Sequence, residues 1–536
     1  MKVVVIGGTG AFGARLCDLL RRDGQDVTIA GRTGDVEAGT VEIAPKDQPQ
    51  VFPFLKFDRN GPLDGLVGFD VVVDAAGPFH AYGDDPYRLA KAAISAGAHY
   101  FDLCDNAEFC QGISALDAQA RAAGVCVYSG MSSVPAISSA AVQALADGQS
   151  PLSIETAILP GNKAPRGRSV VESILDQAGR PYREIQSGKP ILRRSWSDPR
   201  TYDLGLYTRQ GWRIEVPDQR LFPDHFDCPN VCFRAGLELA IMRYGLGAFS
   251  WIRSKFDFDL RPWMVSAMMV GARLLAPFGT DRGGMVVDVI VAQSADFLRK
   301  TWTMRAENGD GPYTPAIAVR AACRDLTALA VGAGPAVSVV PLAAIEACFE
   351  DLDISTETAS VPAVPAFRQV LGAGLDQLPD AVRTTHDQVT PQTFKGLASV
   401  TRGAGLQARV AALLFGFPPT TTEVEVEVTK TRDEVCEVWV RRFGERRFRS
   451  VLRPSPRGMS ERFGLLTFDL DLKVEDGKLY FPVKSGRIGP IPIPRFMLPQ
   501  SEATEADIYG VFQFDVALKA PTGALLVHYR GWLKEG

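Results

Sequence analysis

Apolar positions in this chain keep three different rhythms. Near the start they come in short unbroken runs, KVVVI (2–6) and the first half of FDVVVDAAGPF (69–79). Such runs suit central parallel strands covered on both faces. After the first run, ARLCDLLRRDG (14–24) sets Leu16, Leu19 and Leu20 on one stripe, with Gly24 just past its end. That spacing predicts a helix. DVTIAGR (26–32) predicts the next strand, so strand, Gly-rich turn, helix and strand fit within about thirty residues. The alternation continues with a helix around Leu89, Ala93 and Ile94, a stop at Gly97 and a strand HYFDL. VCVYSGMSSVPAISSAAV (125–142) then repeats the pattern.

From 151 to about 350 the rhythm loosens. SIETAILPG predicts a strand, and APRGRSVVESILDQAGRPY (164–182) a loop and a helix ending at Gly179. GGMVVDVIVAQS and RKTWTMRAENGDG predict a hairpin that leads through Gly311-Pro312 into a helix. A Pro-rich linker is expected at SVPAVPAF (360–367), followed by helical FRQVLGAGLDQLPDAVRTTHD and GLQARVAALLFGFPP. Then the period becomes two. TTEVEVEVTKT alternates without error, a hairpin is expected around Gly444-Glu445, and Asp476-Gly477 is a strong hairpin turn. About six to eight strands with helices in front predict an antiparallel α+β domain.

Composition narrows the classes. The 536 residues are 46% hydrophobic and 22% charged, with net charge -4, so no global field favours nucleic acid. Nine cysteines without a Cys-x-x-Cys pair and five histidines predict reduced thiols, no metal centre and a cytoplasmic setting. The first residues lack a basic segment and cleavage site, so no secretory signal is expected. Leu326–Ile345 is uncharged, but Gly332, Gly334, Pro335 and Pro341 break it as a span. For the apolar stretches Leu237–Ile252 and Trp263–Phe278, burial is favoured over lipid contact.

The turn after KVVVI reads GGTGAFG (7–13). Gly7 or Gly8 permits the tight turn, Gly10 lets backbone approach a pyrophosphate, and Gly13 lets helix pack on strand. The helix start offers unbonded N–H groups. The cofactor grip therefore comprises Gly7, Gly8, Thr9, Gly10, Ala11, Phe12 and Gly13. After the second strand, where an NAD-binding unit carries Asp or Glu, this chain has Arg32 and Thr33. They favour a 2'-phosphate and hence NADP. Ala75, Ala76, Gly77, Pro78 and Phe79 leave room at the next strand end, and Ser133 stands at a third. Candidates for chemistry are Tyr82, His99 and Asp102, with His80 and Ser133 nearby; Tyr82 is the preferred proton donor or cofactor contact. Arg166 and Arg168 are candidates for a substrate carboxylate or phosphate, with a solvated loop the simpler alternative.

Gly-Gly-Thr-Gly-x-x-Gly, the Ala-Gly-Pro-Phe loop with Tyr82-Gly83, Ala-Gly-x-His-Tyr-x-Asp (96–102) and Ser133-Val134-Pro135 occur in this order. Over residues 1 to about 140 the chain resembles saccharopine dehydrogenase-like oxidoreductases, a group that includes bacterial trans-acting enoyl reductases. The resemblance implies a sheet domain over the nicotinamide, with Gly283-Gly284-Met285 and Pro312–Ala318 structural. It also implies part of the substrate pocket between them. One departure stands out: Ile137 occupies the place of an Asp common in relatives. The C-terminal third resembles an uncharacterised bacterial domain fused behind such proteins, through Gly416-Phe417-Pro418-Pro419, Trp439, Phe443-Gly444, Glu461-Arg462-Phe463-Gly464 and His528-Tyr529-Arg530-Gly531-Trp532.

The expected fold is α/β: a Rossmann-type doubly wound parallel sheet with an associated α+β sheet domain, then an antiparallel α+β domain. The boundaries are 1–150, 151–358 with a helix returning to the first domain, and 366–536. The expected activity is an NADP(H)-dependent reduction of a C=C, C=N or C=O bond in a hydrophobic, lipid-like substrate. The alternatives are a catalytically silent nucleotide-binding, lipid-carrying scaffold and an opine- or saccharopine-type dehydrogenase. Peripheral contact with the inner face of a membrane, a role in lipid metabolism and a homodimer are further expectations.

Overall fold

The fold comes from a computed structural model, which describes residues 1–32, 39–165, 167–293, 296–432, 436–456 and 458–536. The chain forms two compact units, one of residues 1–291 with 299–361, the other of 292–298 with 362–536.

The first unit opens with a mainly parallel sheet. Its strands are β1 (Lys2–Ile6), β2 (Asp26–Gly31), β3 (Thr40–Ile43), β4 (Gln50–Lys56), β5 (Val71–Asp74), β6 (His99–Asp102) and β7 (Cys126–Ser129). The spatial order is β7-β6-β5-β1-β2-β4-β3, with Gly332–Pro335 added outside β7. Only β3 runs antiparallel to its neighbour. Val3, Val4, Val5, Val71, Val72 and Val73 are fully buried, as unbroken apolar strands require. Helix α1 (Ala11–Arg22) covers the sheet with Leu16, Leu19 and Leu20, all buried. The uncharged stretch 326–345 holds no spanning helix: it supplies strand Gly332–Pro335 and the short helix Leu342–Glu346. No helix among the described residues is long and apolar enough to cross a membrane.

Residues 311–324 return to α1 and are fixed there by polar bonds. Tyr313 donates its hydroxyl to Asp18 at 2.8 Å, and buried Arg320 reaches Asp23 at 2.8 Å. The second sheet has nine strands, including Ser153–Leu159, Val231–Gly236, Gly283–Gln293 and Asp296–Ala306. A ladder of buried charge runs through it. Arg200 and Arg234 both meet Glu155, at 2.7 and 2.6 Å; Arg200 also meets Asp288, while Arg213 is shared by Glu184 and Asp198.

Two expectations are corrected in this unit. The apolar stretches at 237–252 and 263–278 become helices Ala240–Phe256 and Pro262–Leu275, and neither is buried. Trp251 is 53% exposed, Phe256 73%, Trp263 65% and Leu274 71%. Apolar content predicted a covered face; long-range packing covers only Leu246, Ser250, Arg253 and Val265. The linker placed at 360–367 is shorter: only 363–365 are irregular, between strand Ile354–Pro362, which pairs beside Asp296–Ala306, and helix Ala366–Leu371.

The second unit is built on one antiparallel sheet, with thirteen strands among the described residues, more than the six to eight expected. The surplus is short edge strands such as Lys473–Glu475 and Ile491–Pro492, and Gln392–Arg402, where the Gly396-Leu397-Ala398 run blurs the alternation. The predicted hairpins form: Glu437–Phe443 pairs with Arg446–Ser455. Asp476 and Gly477 both take positive φ between Lys473–Glu475 and Lys478–Tyr480. That geometry is the two-residue turn that matches strand twist.

Glu155 holds two buried guanidinium groups at once, and they keep its carboxyl far below the usual range. Replacing it, Glu155→Gln, removes the carboxylate they share and leaves Arg200 with Asp288 and Arg234 with Asp198, both at 3.3 Å. The change is expected to lower unfolding free energy by up to about 3–5 kcal/mol in urea titration. The loss should shrink in acid, because a depressed carboxylate contributes stability only while ionised.

Candidate nucleotide and active site

The glycines of the first turn are required by contact. Gly7 has φ +77, and a Cβ there would lie 2.8 Å from the Ala76 Cα. A Cβ on Gly13 would meet the Gly7 carbonyl oxygen at 2.3 Å. Gly10 meets nothing closer than that same oxygen at 3.1 Å, so its outer side is open. Ala14 N–H is bonded back to Gly10 O at 2.9 Å. The N–H groups of Ala11, Phe12 and Gly13 precede that first helical bond and have no carbonyl of their own helix to meet. No side chain caps α1, and its first turn has no acidic residue. This end of the helix suits an anion. Thr9 is exposed on the same turn.

Arg32 follows β2 and is exposed. Lys56, unremarked in the sequence, stands beside it: the last residue of β4 is in register with Gly31 and exposed. Thr33 and Arg166 lie outside the described residues, as do the side chains of His80 and Arg168.

The carboxyl ends of β5 and β6 form the other wall. Register places Asp74 beside Asp102 on adjacent strands, and both are 0% exposed. Asp74 accepts from Ala76 N–H at 3.0 Å and from the Tyr82 hydroxyl at 2.9 Å. Asp102 accepts through Oδ1 from Gly130 N–H, Ser129 Oγ and Cys104 N–H at 2.8–3.0 Å. Its Oδ2 is buried without a hydrogen-bond partner among the described residues. Burial, aided by Asp74, pushes the Asp102 carboxyl up to about 7, and burial also raises Asp74. Burial and the Asp74 charge drive the Tyr82 phenol far above its usual range, so it keeps its proton.

Aromatic rings close over these groups. Tyr82 stacks on Phe79 at 5.0 Å and meets Phe109 edge-on at 5.6 Å. The Arg59 guanidinium lies 3.6 Å from the Tyr82 ring centroid, and Arg88 ties down that loop through the Arg59 and Gly61 carbonyls. Asp74 had a signal in the sequence, a carboxylate ending an apolar strand. Arg59 had none, since it arrives from a loop of irregular pattern.

The expected residues thus separate. Gly7–Gly13, Ala75–Phe79, Tyr82, Asp102 and Ser133 all follow or end β1, β5, β6 and β7 on one edge of the sheet. Ser133 is buried at the start of the turn Ser133–Ile137. His99 does not join them. It begins β6, three residues and about 10 Å from the carboxyl end. Its Nδ1 accepts the Cys126 N–H at 3.0 Å, which ties β6 to β7. Ile137, at the position of the relatives' carboxylate, is fully buried. Among the described residues, no cluster of three His, Cys, Asp or Glu side chains is placed to hold a metal ion.

Comparison with known proteins identifies a domain at each end of the chain. Residues 3–127 match the Saccharopine dehydrogenase NADP binding domain, and residues 378–533 match a Domain of unknown function (DUF4166). The N-terminal sheet is therefore an NADP-binding domain of oxidoreductase type. No curated protein matches the chain. Solved structures similar to part of it include a putative epimerase from Bacteroides thetaiotaomicron, 22% identical over 19% of this chain and 45% of that one, TM-score 0.15. UDP-N-acetylglucosamine 4-epimerase from Bacillus cereus is 17% identical over 19% and 34%, TM-score 0.15. Aspartate semialdehyde dehydrogenase II from Vibrio cholerae is 16% identical over 29% and 50%, TM-score 0.19. The chain thus covers half or less of each of these.

Asp102 carries a pH signature. Its folded value near 7 exceeds the ordinary 3.8, so its share of stability is full below about 3.8 and lost as pH rises to about 7. Asp102→Asn keeps an oxygen for the three donors and mimics the protonated acid. Melting curves across this window should show a flatter pH dependence and a higher midpoint above pH 7 than the parent protein.

Proposed function

We propose that the protein is an NADPH-dependent reductase of a C=C, C=N or C=O bond in a hydrophobic, lipid-like substrate. One observation carries the reading: an uncapped, glycine-opened helix end lies against the carboxyl edge of a parallel sheet, beside Ala75, Ala76 and Gly77. The Gly7–Gly13 turn would hold a pyrophosphate, and bound NADPH would supply a hydride. Arg32 and Lys56 would meet the 2'-phosphate, which supports NADPH over NADH.

Tyr82 would position the substrate or nicotinamide, its hydroxyl held by Asp74 and its ring by Arg59. The Asp102 acid, near 7, is poised to exchange a proton at neutral pH. His99 has no part in this reading. The segments 1–150, 151–358 and 366–536 would divide the work into cofactor, substrate and C-terminal domains. A substrate rich in carboxylates is disfavoured, because Arg200, Arg213 and Arg234 of the second sheet already face acidic partners. That argues against the opine- or saccharopine-type reaction. A silent, lipid-carrying scaffold is the second reading, and Ile137 is what favours it.

The hydrophobic substrate is supported by helix Ala240–Phe256. Ile241, Tyr244, Trp251, Ile252 and Phe256 are exposed and fall within an arc of about 140°. With Trp263, Val270 and Leu274 on the next helix and exposed Lys255, Arg261 and Arg273, this surface suits an anionic bilayer at the cytoplasmic face.

Arg32→Ala should weaken NADPH binding by about 1–3 kcal/mol and leave NADH nearly unchanged in calorimetry. Equal losses would put the specificity elsewhere. Absorbance at the reduced nicotinamide band with enoyl lipids separates reductase from scaffold, since the scaffold binds NADPH without consuming it. Trp251→Asp with Phe256→Asp should cut co-sedimentation with anionic vesicles about tenfold or more and spare NADPH affinity. Light scattering on the same samples tests the homodimer: a dimer dissolved by these changes, without vesicle binding by the parent, would assign the face to a second copy.

A further inference from the structure

The second unit contains a cavity of about 1330 Å³ counting its open mouth. All its lining residues fall between 385 and 533, so it owes nothing to the nucleotide turn. Strands from both halves of the thirteen-stranded order contribute, among them Thr421–Arg432, Glu437–Phe443, Leu466–Leu470 and Val511–Lys519. The sheet must therefore curl around a common space. Alternate residues point inward, as in Val426, Val428 and Lys430 or Phe512, Phe514 and Val516.

The wall is aromatic and incompletely packed. Phe463, Phe468 and Phe481 line it and remain partly exposed. A core evolved only for stability would collapse on such a void, because each unfilled volume costs free energy.

Polar groups gather around Trp439. Lys430 lies 4.1 Å from its ring and donates to the Thr385 carbonyl at 2.7 Å. Arg441 lies 4.6 Å from the same ring and reaches Glu461 at 3.2 Å. Glu505 pairs with His386 at 2.5 Å, and burial keeps that imidazole neutral-leaning. Glu437 accepts from the Trp439 indole N–H at 2.8 Å. Two cations thus face three carboxylates. An ionised carboxylate or phosphate head would enter a site with no surplus positive charge, at a steep desolvation cost. One group stands apart. Tyr529 lies between Phe443 and Phe514 on the lining, and its hydroxyl has no hydrogen-bond partner among the described residues. A phenol both donates and accepts.

We propose that this cup binds an uncharged, oxygen-bearing hydrocarbon of the alcohol, aldehyde or ester kind, with its oxygen at Tyr529 and its carbon chain along the aromatic wall. The proposal is independent of the NADPH reading, and each can fail alone.

The test uses full-length protein and two fluorescent probes that differ only in head charge, cis-parinaric acid and its methyl ester, at neutral pH. The ester should bind saturably, one per chain, and the acid about tenfold or more weaker. Tyr529→Phe should weaken the ester by roughly two- to tenfold, the range for one neutral hydrogen bond. Val516→Arg, which puts a cation among the lining chains, should abolish ester binding while NADPH affinity, measured separately, is unchanged. Circular dichroism and melting verify that each variant folds, and Tyr529→Phe stands as the test if Val516→Arg does not. Absent ester saturation, an acid that binds as well as the ester, or Tyr529→Phe or folded Val516→Arg binding like the parent would overturn the proposal.

Discussion

The N-terminal half depends on one close approach, that of the first turn to the end of β5. Gly7 sits against the Ala76 backbone and Gly13 against the Gly7 carbonyl, at distances no Cβ tolerates. Only glycine there lets α1 start directly at the sheet edge with its first N–H groups turned outward. From that placement follow the anion-binding character of the edge and the need for small residues at Ala75, Ala76 and Gly77.

Around this edge, buried charge is handled in two ways. In the second sheet, guanidinium and carboxylate groups are paired, so Glu155 stays ionised and structural. Beside the nucleotide turn, Asp74 and Asp102 lie side by side with little countercharge. Burial then favours the neutral acid and brings Asp102 near physiological pH. The contrast separates a charge ladder that stiffens a sheet from a carboxyl pair suited to proton exchange.

The second unit solves a different problem with the same alternation of residues. A long antiparallel sheet that curls presents one side chain in two to its interior. When those chains are mainly apolar and leave space between opposing walls, the few polar groups inside gain weight because little water screens them.

What the sequence determined alone was local. The glycine spacing announced the nucleotide turn because its steric demands span only seven residues. Unbroken apolar runs announced the parallel strands, and Asp476-Gly477 a hairpin, for the same reason. The tertiary structure decided which groups meet. Asp74 joins Asp102 only through strand register, Arg59 reaches Tyr82 only through loop packing, and His99 is drawn to the far edge by its place in β6. Apolar content could not tell a covered helix from an exposed one, so the faces of Trp251 and Trp263 emerged only with the fold. The cavity likewise needed the curl of the whole sheet, since alternation says which residues share a face but not how far apart opposing faces stand.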